Sequence, residues 1–149
     1  MSDVIKNLCV CVLIALGVGA LSHWLKSPYL ASFLDTNLIL LLVALLAINT
    51  TTVSVIMTKL RELSKKPSDF ARTTASLKVS IIEQVILIVI SVVFLMLKNS
   101  QVVVARLPHS NLVFEVALLA VFCYAIHVLY DTAMGVFVLI RFEEDRDGN

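Results

Sequence analysis

Tyr124, His127 and Asp131 stand three and then four residues apart within the longest apolar run of the chain, Leu112 to Ile140. On an α-helix that spacing stacks a phenol, an imidazole and a carboxylate on one face. An imidazole changes charge near neutral pH. The trio therefore has the chemistry of a proton acceptor, a relay or a charge-sensing element. The run's other charged residue, Glu115, falls in its first turn, where a carboxylate suits the helix dipole. Glu115 can also pair with Arg106 and is read as structural.

Other chemistry-bearing residues cluster in three places. Glu83 and Gln84 lie near the start of a third apolar run, and Ser80-Ile81-Ile82-Glu83 has the spacing of a capping box at a helix entry. That assigns Glu83 a capping role, with a function inside the membrane as the alternative. Asn49, Thr50, Thr51, Thr52 and Ser54 interrupt a run of leucine and alanine. Such hydroxyls either bond the carbonyl one turn back or reach across to a neighbouring helix. Lys59, Arg61, Lys65, Lys66, Arg72 and Lys78 make residues 58–78 strongly basic, against Glu62 and Asp69. That segment has the charge to bind anionic lipid headgroups or an acidic partner, or simply to set topology.

Composition says what must position these groups. The chain has 149 residues, 59% of them hydrophobic and 15% charged; mean hydropathy is +0.95. Soluble domains are roughly 45–50% apolar and about 25% charged. An all-α integral membrane protein is expected, a single transmembrane domain over 1–149 with no room for a soluble one. Four spans account for it, at about 4–21, 37–57, 79–97 and 112–140, with 58–78 as a hairpin tip. No basic tail suited to nucleic acid, no low-complexity segment and no internal repeat is present.

The first span carries Ala15 and Gly19 at small-xxx-small spacing, which lets helix backbones approach closely. Val18-Gly19-Ala20 resembles a signal-peptide cleavage site, but the segment before the span lacks the positive charge of a secretory leader. Residues 22–36, with Trp24, Pro28, Tyr29 and Phe33, read as an interfacial loop. Helix is expected to continue from the second span to about Ser64, ending before Pro67. The tail after Ile140 is acidic and reads as short and mobile.

Lys and Arg are distributed unequally between the two sides. One side receives Lys6, the six of the hairpin, Arg141 and Arg146; the other receives Lys26, Lys98 and Arg106. The positive-inside rule then puts both termini in the cytoplasm, in a pattern that suits a bacterial inner membrane. In that orientation Asn49, Thr51, Thr52, Glu83, Gln84, Tyr124, His127 and Asp131 collect in one intramembrane layer on the cytoplasmic side. Polar groups in hydrocarbon need partners, so the layer is expected to face protein or water. It fits a purely structural role, a water-accessible vestibule of an oligomer responding to protonation or voltage, or a proton relay. The last two imply a homo-oligomer, because four short helices seldom enclose a path alone.

An enzyme is not expected. The chain has no HExxH, no glycine-rich phosphate loop and no nucleophile elbow. His127 and Asp131 supply too few ligands for a metal. Cys9, Cys11 and Cys123 lie in apolar runs as buried thiols, and Cys9 and Cys11 point to nearly opposite helix faces. No cofactor is expected.

In layout the chain resembles small four-span inner-membrane proteins of bacterial anti-phage systems, the Kiwa membrane subunits among them. The likeness lies in length, cytoplasmic ends, the absence of a catalytic domain and the basic hairpin from Lys59 to Lys78. It implies a homo-oligomer that senses membrane disturbance and docks a cytoplasmic effector protein. It transfers no functional residues.

Overall fold

The computed structural model describes residues 2–63, 71–100 and 110–147. These form four helices: α1 (Ser2–Trp24), α2 (Tyr29–Leu63), α3 (Ala71–Lys98) and α4 (Ser110–Asp147). Among the described residues there is no strand, and each helix contains a stretch long and apolar enough to cross a membrane.

The surface is that of a protein dissolved in lipid. Leu13, Leu40, Met96 and Phe137 are largely exposed, whereas Asn49, Gln84, Ser91 and Thr132 are buried. Without water outside, apolar burial does little to hold helices together. Close packing and interhelical hydrogen bonds take over that work.

α4 is the central helix and packs against each of the other three. It is the most buried of the four spans, although Val113, Ile126 and Phe137 still face outward. Leu118, Leu119, Val121 and Ala125 meet Ala15 of α1 and Leu34, Leu38 and Leu42 of α2 in the main core, with Leu87, Ile88, Phe94 and Leu95 of α3 against it. The contacts run up-down-up-down. Gly19 of α1 faces Val116, and Cys11 packs with Tyr124 and Val128. Ile56 of α2 reaches Gly135. Both chain ends therefore lie at one end of the bundle, called here the terminal end.

Three elements differ from the sequence expectation. The segment 22–36 is not a loop, because α1 continues to Trp24 and α2 starts at Tyr29. Pro28 accounts for the start: its ring pre-sets a helical φ, and its carbonyl accepts the Ser32 N–H at 3.0 Å. Tyr29 and Phe33 then stack one turn apart, with ring centroids 6.1 Å apart. The turn between α1 and α2 closes on Lys26, which takes a left-handed φ of 51°. There Ser27 N bonds Ser22 O at 3.1 Å, and Ser22 Oγ donates back to Ser27 O at 2.8 Å. The acidic tail is helical as far as Asp147, not an irregular end. Finally, α3 begins at Ala71, so Ser80 and Glu83 lie well inside a helix and the capping box does not exist.

At the end opposite the termini, Lys98 of α3 reaches across to α2. Its Nζ donates to Asp35 Oδ1 at 2.8 Å and Oδ2 at 2.6 Å, and stands 3.6 Å from Glu115 Oε1 of α4. This clamp ties three helices together at that end of the bundle. Glu115 is not in the first turn, because α4 begins at Ser110; its partner is Lys98, and Arg106 lies outside the described residues.

Candidate functional site: a polar cleft at the terminal end

α1 and α3 both pack on α4 but hardly touch each other. The gap between them is a cleft of about 300 Å3 near the terminal end. Asn7 of α1, Ser76, Ser80 and Glu83 of α3, and Tyr124, His127, Asp131 and Thr132 of α4 line it. Helical spacing puts each set on one face: Ser76, Ser80 and Glu83 on α3, and Tyr124, His127 and Asp131 on α4.

The stacked trio is present, but its members interact loosely. His127 Nε2 stands 3.6 Å from Asp131 Oδ2, outside hydrogen-bond range. The Tyr124 and His127 rings have centroids 6.3 Å apart, tilted by 58°. The His127 side chain is 30% exposed and that of Asp131 63% exposed. Asp131 therefore faces the open cleft and has no protein shell of its own. His127 Nε2 is itself buried and unpartnered.

Behind the cleft a hydrogen-bond chain crosses three helices. Asn49 Nδ2 donates to Ser80 Oγ at 3.1 Å, and Ser80 Oγ lies 3.1 Å from Thr132 Oγ1. Thr132 Oγ1 donates to Val128 O at 3.0 Å. With that proton committed, Ser80 must donate to Thr132 while accepting from Asn49. Asn49 Oδ1 and both ends of the Gln84 amide have no partner, although Asn49 is 0% and Gln84 2% exposed.

The expected layer is therefore split. Glu83, Tyr124, His127 and Asp131 meet in the cleft, whereas Asn49 and Gln84 turn into the bundle. Thr51 and Thr52 do not belong to it: they bond back to Ala47 O and Ile48 O at 2.9 Å, and Thr50, Ser54 and Thr58 do the same one turn back. Ser80 and Thr132 carry the interhelical bonds, and sequence reasoning missed both roles. Ser80 was taken for a cap, and Thr132 had only its place beside Asp131 to mark it.

Elsewhere, Lys59 and Glu62 form an exposed i,i+3 ion pair at 3.3 Å, and Arg61 and Lys78 are exposed. Lys65 and Lys66 lie outside the described residues, as does the side chain of Arg72. Of the three cysteines expected to be buried, only Cys11 is; Cys9, on the opposite face of α1, is exposed and Cys123 is half-buried. A larger cavity of about 710 Å3 lies at the Lys98 end between α1, α2 and α4. Its walls are mostly aliphatic, including Leu16, Leu34 and Leu119, with His23 and Lys26 at the turn. Ser22, Ser27 and Glu115 also line it, so its polar groups gather at the Lys98 end and it opens away from the Tyr124, His127 and Asp131 face.

No protein-family model matches the chain, and no curated protein or solved structure matches it either.

Proposed function

We propose that this is a non-enzymatic membrane sensor and scaffold subunit that assembles with copies of itself and docks a cytoplasmic effector protein. The observation that carries this reading is how far two helices overrun the membrane at one end. Counted from the clamp at Asp35 and Glu115, α2 runs about 42 Å to Leu63 and α4 about 48 Å to Asp147. The hydrocarbon core is about 30 Å thick. Both helices thus project past it at the terminal end, which the positive-inside rule makes cytoplasmic, in a bacterial inner membrane. α2 carries Lys59 and Arg61 with Glu62 there, a net positive end, and α4 carries Glu143, Glu144, Asp145 and Asp147 with Arg141 and Arg146, a net negative one. Ordered helices of opposite charge suit a protein partner, because electrostatic complementarity fixes register and speeds association. The basic segment 58–78 also meets anionic lipid headgroups. Self-association is supported by the cleft, since Glu83 and Asp131 must be kept from hydrocarbon and a second copy can wall the cleft off from lipid while leaving it wet. The likeness in layout to the four-span subunits of anti-phage systems supports the same role.

The test is the native mass of the protein in nanodiscs, alone and then with the soluble proteins encoded beside its gene. A discrete oligomer that captures one of them is expected. Lys65→Glu, Lys66→Glu and Arg72→Glu together should abolish capture while insertion and oligomer mass survive. Undiminished capture by that triple variant overturns the docking role.

The cleft favours a second reading, a proton- or ion-conducting subunit using His127 and Asp131. Asp131→Asn combined with His127→Ala should then remove pH-dependent flux in liposomes. Unchanged flux rejects it.

A further inference from the structure

We propose that the cleft continues into the bundle as a water-filled half-channel that ends at Gln84. Three polar atoms point to it: Asn49 Oδ1, Gln84 Oε1 and Gln84 Nε2 are buried and unpartnered. Two amides that are 0% and 2% exposed cannot be left unsatisfied cheaply in an apolar interior, and ordered water is the usual remedy. The set suits water chemically. The two carbonyl oxygens accept its protons, and the Gln84 Nε2 donates to its oxygen. All three atoms are neutral, and the Gln84 Nε2 needs an acceptor that a cation cannot supply and water can.

The route in is given by Ser80. Its hydroxyl bonds Asn49 at 3.1 Å, and the same residue lines the cleft. Gln84 follows one turn further along α3 on the same face. Counted down from Lys98 at about 1.5 Å per residue, it lies about 21 Å from the clamp. Water following this path from the terminal end thus stops short of the clamp. Beyond Gln84 the interior closes on Leu38, Leu42, Leu118 and Leu87. That aliphatic plug makes the path a dead end in this state. The inference rests on the cleft being open to water, and it places the dry barrier of the subunit between Gln84 and the clamp.

The experiment is thiol protection by Ag+, supplied as nitrate in chloride-free buffer, on protein in oriented vesicles. Cys9, Cys11 and Cys123 are first replaced by alanine. Ag+ displaces the thiol proton, forming S–Ag and releasing H+. Protection from later alkylation under denaturing conditions is then read by mass spectrometry. Thiolate chemistry needs water, so the rate reports hydration. Gln84→Cys and Asp131→Cys should both be protected from the terminal side, at least about tenfold faster than the core control Leu38→Cys. Ser80→Cys, a one-atom exchange on the route, is read in the same way should Gln84→Cys fail to fold. Protection at Asp131→Cys but not at Gln84→Cys or Ser80→Cys overturns the half-channel and leaves the cleft standing. Protection at none of them overturns both. Equal protection of Gln84→Cys from the two sides overturns the plug.

Discussion

Asn49 and Ser80 are joined across α2 and α3 by a 3.1 Å hydrogen bond, and Ser80 passes the chain of bonds on to Thr132 of α4. Ser80→Ala should therefore destabilise the bundle more than any single hydroxyl deletion on α2. It leaves the buried Asn49 Nδ2 without a partner and removes the donor to Thr132. Interhelical bonds in membranes average about 0.6 kcal/mol, and an orphaned buried donor adds to that, giving about 1–2 kcal/mol. Thr51→Val and Thr52→Val should cost less than about 0.5 kcal/mol, because those hydroxyls only bond their own helix. Unfolding in mixed micelles ranks the three variants; an equal cost for Ser80→Ala and Thr51→Val would mean that the cross-helix chain contributes nothing.

Lys98 is the counterpart of that chain at the end opposite the termini. Its side chain is 11% exposed, and that of Asp35 is 36% exposed, so the pair is only partly screened. Lys98→Met should lower stability by about 1–2 kcal/mol. A double-mutant cycle with Asp35→Asn should return a coupling of about 1 kcal/mol that shrinks with added salt. A coupling near zero would reduce the clamp to a surface contact.

The two glycines of α1 make opposite predictions. A Cβ at Gly19 would stand 3.3 Å from Val116 Cγ2, whereas a Cβ at Gly17 would meet nothing within 4 Å. Gly17→Ala should be neutral or stabilising by up to about 1 kcal/mol through helix propensity. Gly19→Val should lose about 1–3 kcal/mol, because the extra methyls press on α4. Thermal unfolding of the two variants in detergent decides it. The small-residue pair Ala15 and Gly19 thus serves packing within the subunit, where Ala15 is 0% exposed.

Lys26 holds a left-handed backbone conformation with a φ of 51°. A non-glycine residue there is strained by about 1–2 kcal/mol, and glycine gives part of that back through unfolded-chain entropy. Lys26→Gly should raise stability by about 0.5–1 kcal/mol, and Lys26→Val should lower it. Their melting temperatures should move in opposite directions from that of the parent.

The number of helices and their apolar stretches could be read from sequence because lipid demands long uninterrupted runs, and residue 112 onward was recognisable as the helix the others need. The stacking of Tyr124, His127 and Asp131 followed from spacing alone. What escaped is long-range. Nothing local in Lys98 names Asp35 as its partner, and a serine nine residues into α3 looks like a cap when the helix is expected to begin there. The helical start at Tyr29 was hidden because Trp24, Tyr29 and Phe33 mark a membrane interface equally well in a loop or a helix. Thr51 and Thr52 were grouped with Asn49 because all three are polar and adjacent, yet a hydroxyl can bond its own helix while the longer amide reaches across.

His127 and Asp131 separate a structural role from a functional one. At 3.6 Å, and with the Asp131 side chain 63% exposed, the pair does little to hold the subunit together. Asp131→Asn should change the unfolding free energy of the detergent-solubilised monomer by less than about 0.5 kcal/mol. Its effect should appear in the assembly, because a carboxylate open to lipid must be covered or hydrated. Removing the charge relaxes that demand. Native mass spectra of the parent and Asp131→Asn proteins in nanodiscs, taken beside their unfolding curves, test the distinction. A shifted oligomer distribution with an unchanged monomer stability fits a cleft that faces another subunit. A monomer destabilised by 2 kcal/mol or more, on the order of a broken buried network, with the same oligomer mass, would make the pair part of the packing of one subunit and nothing else.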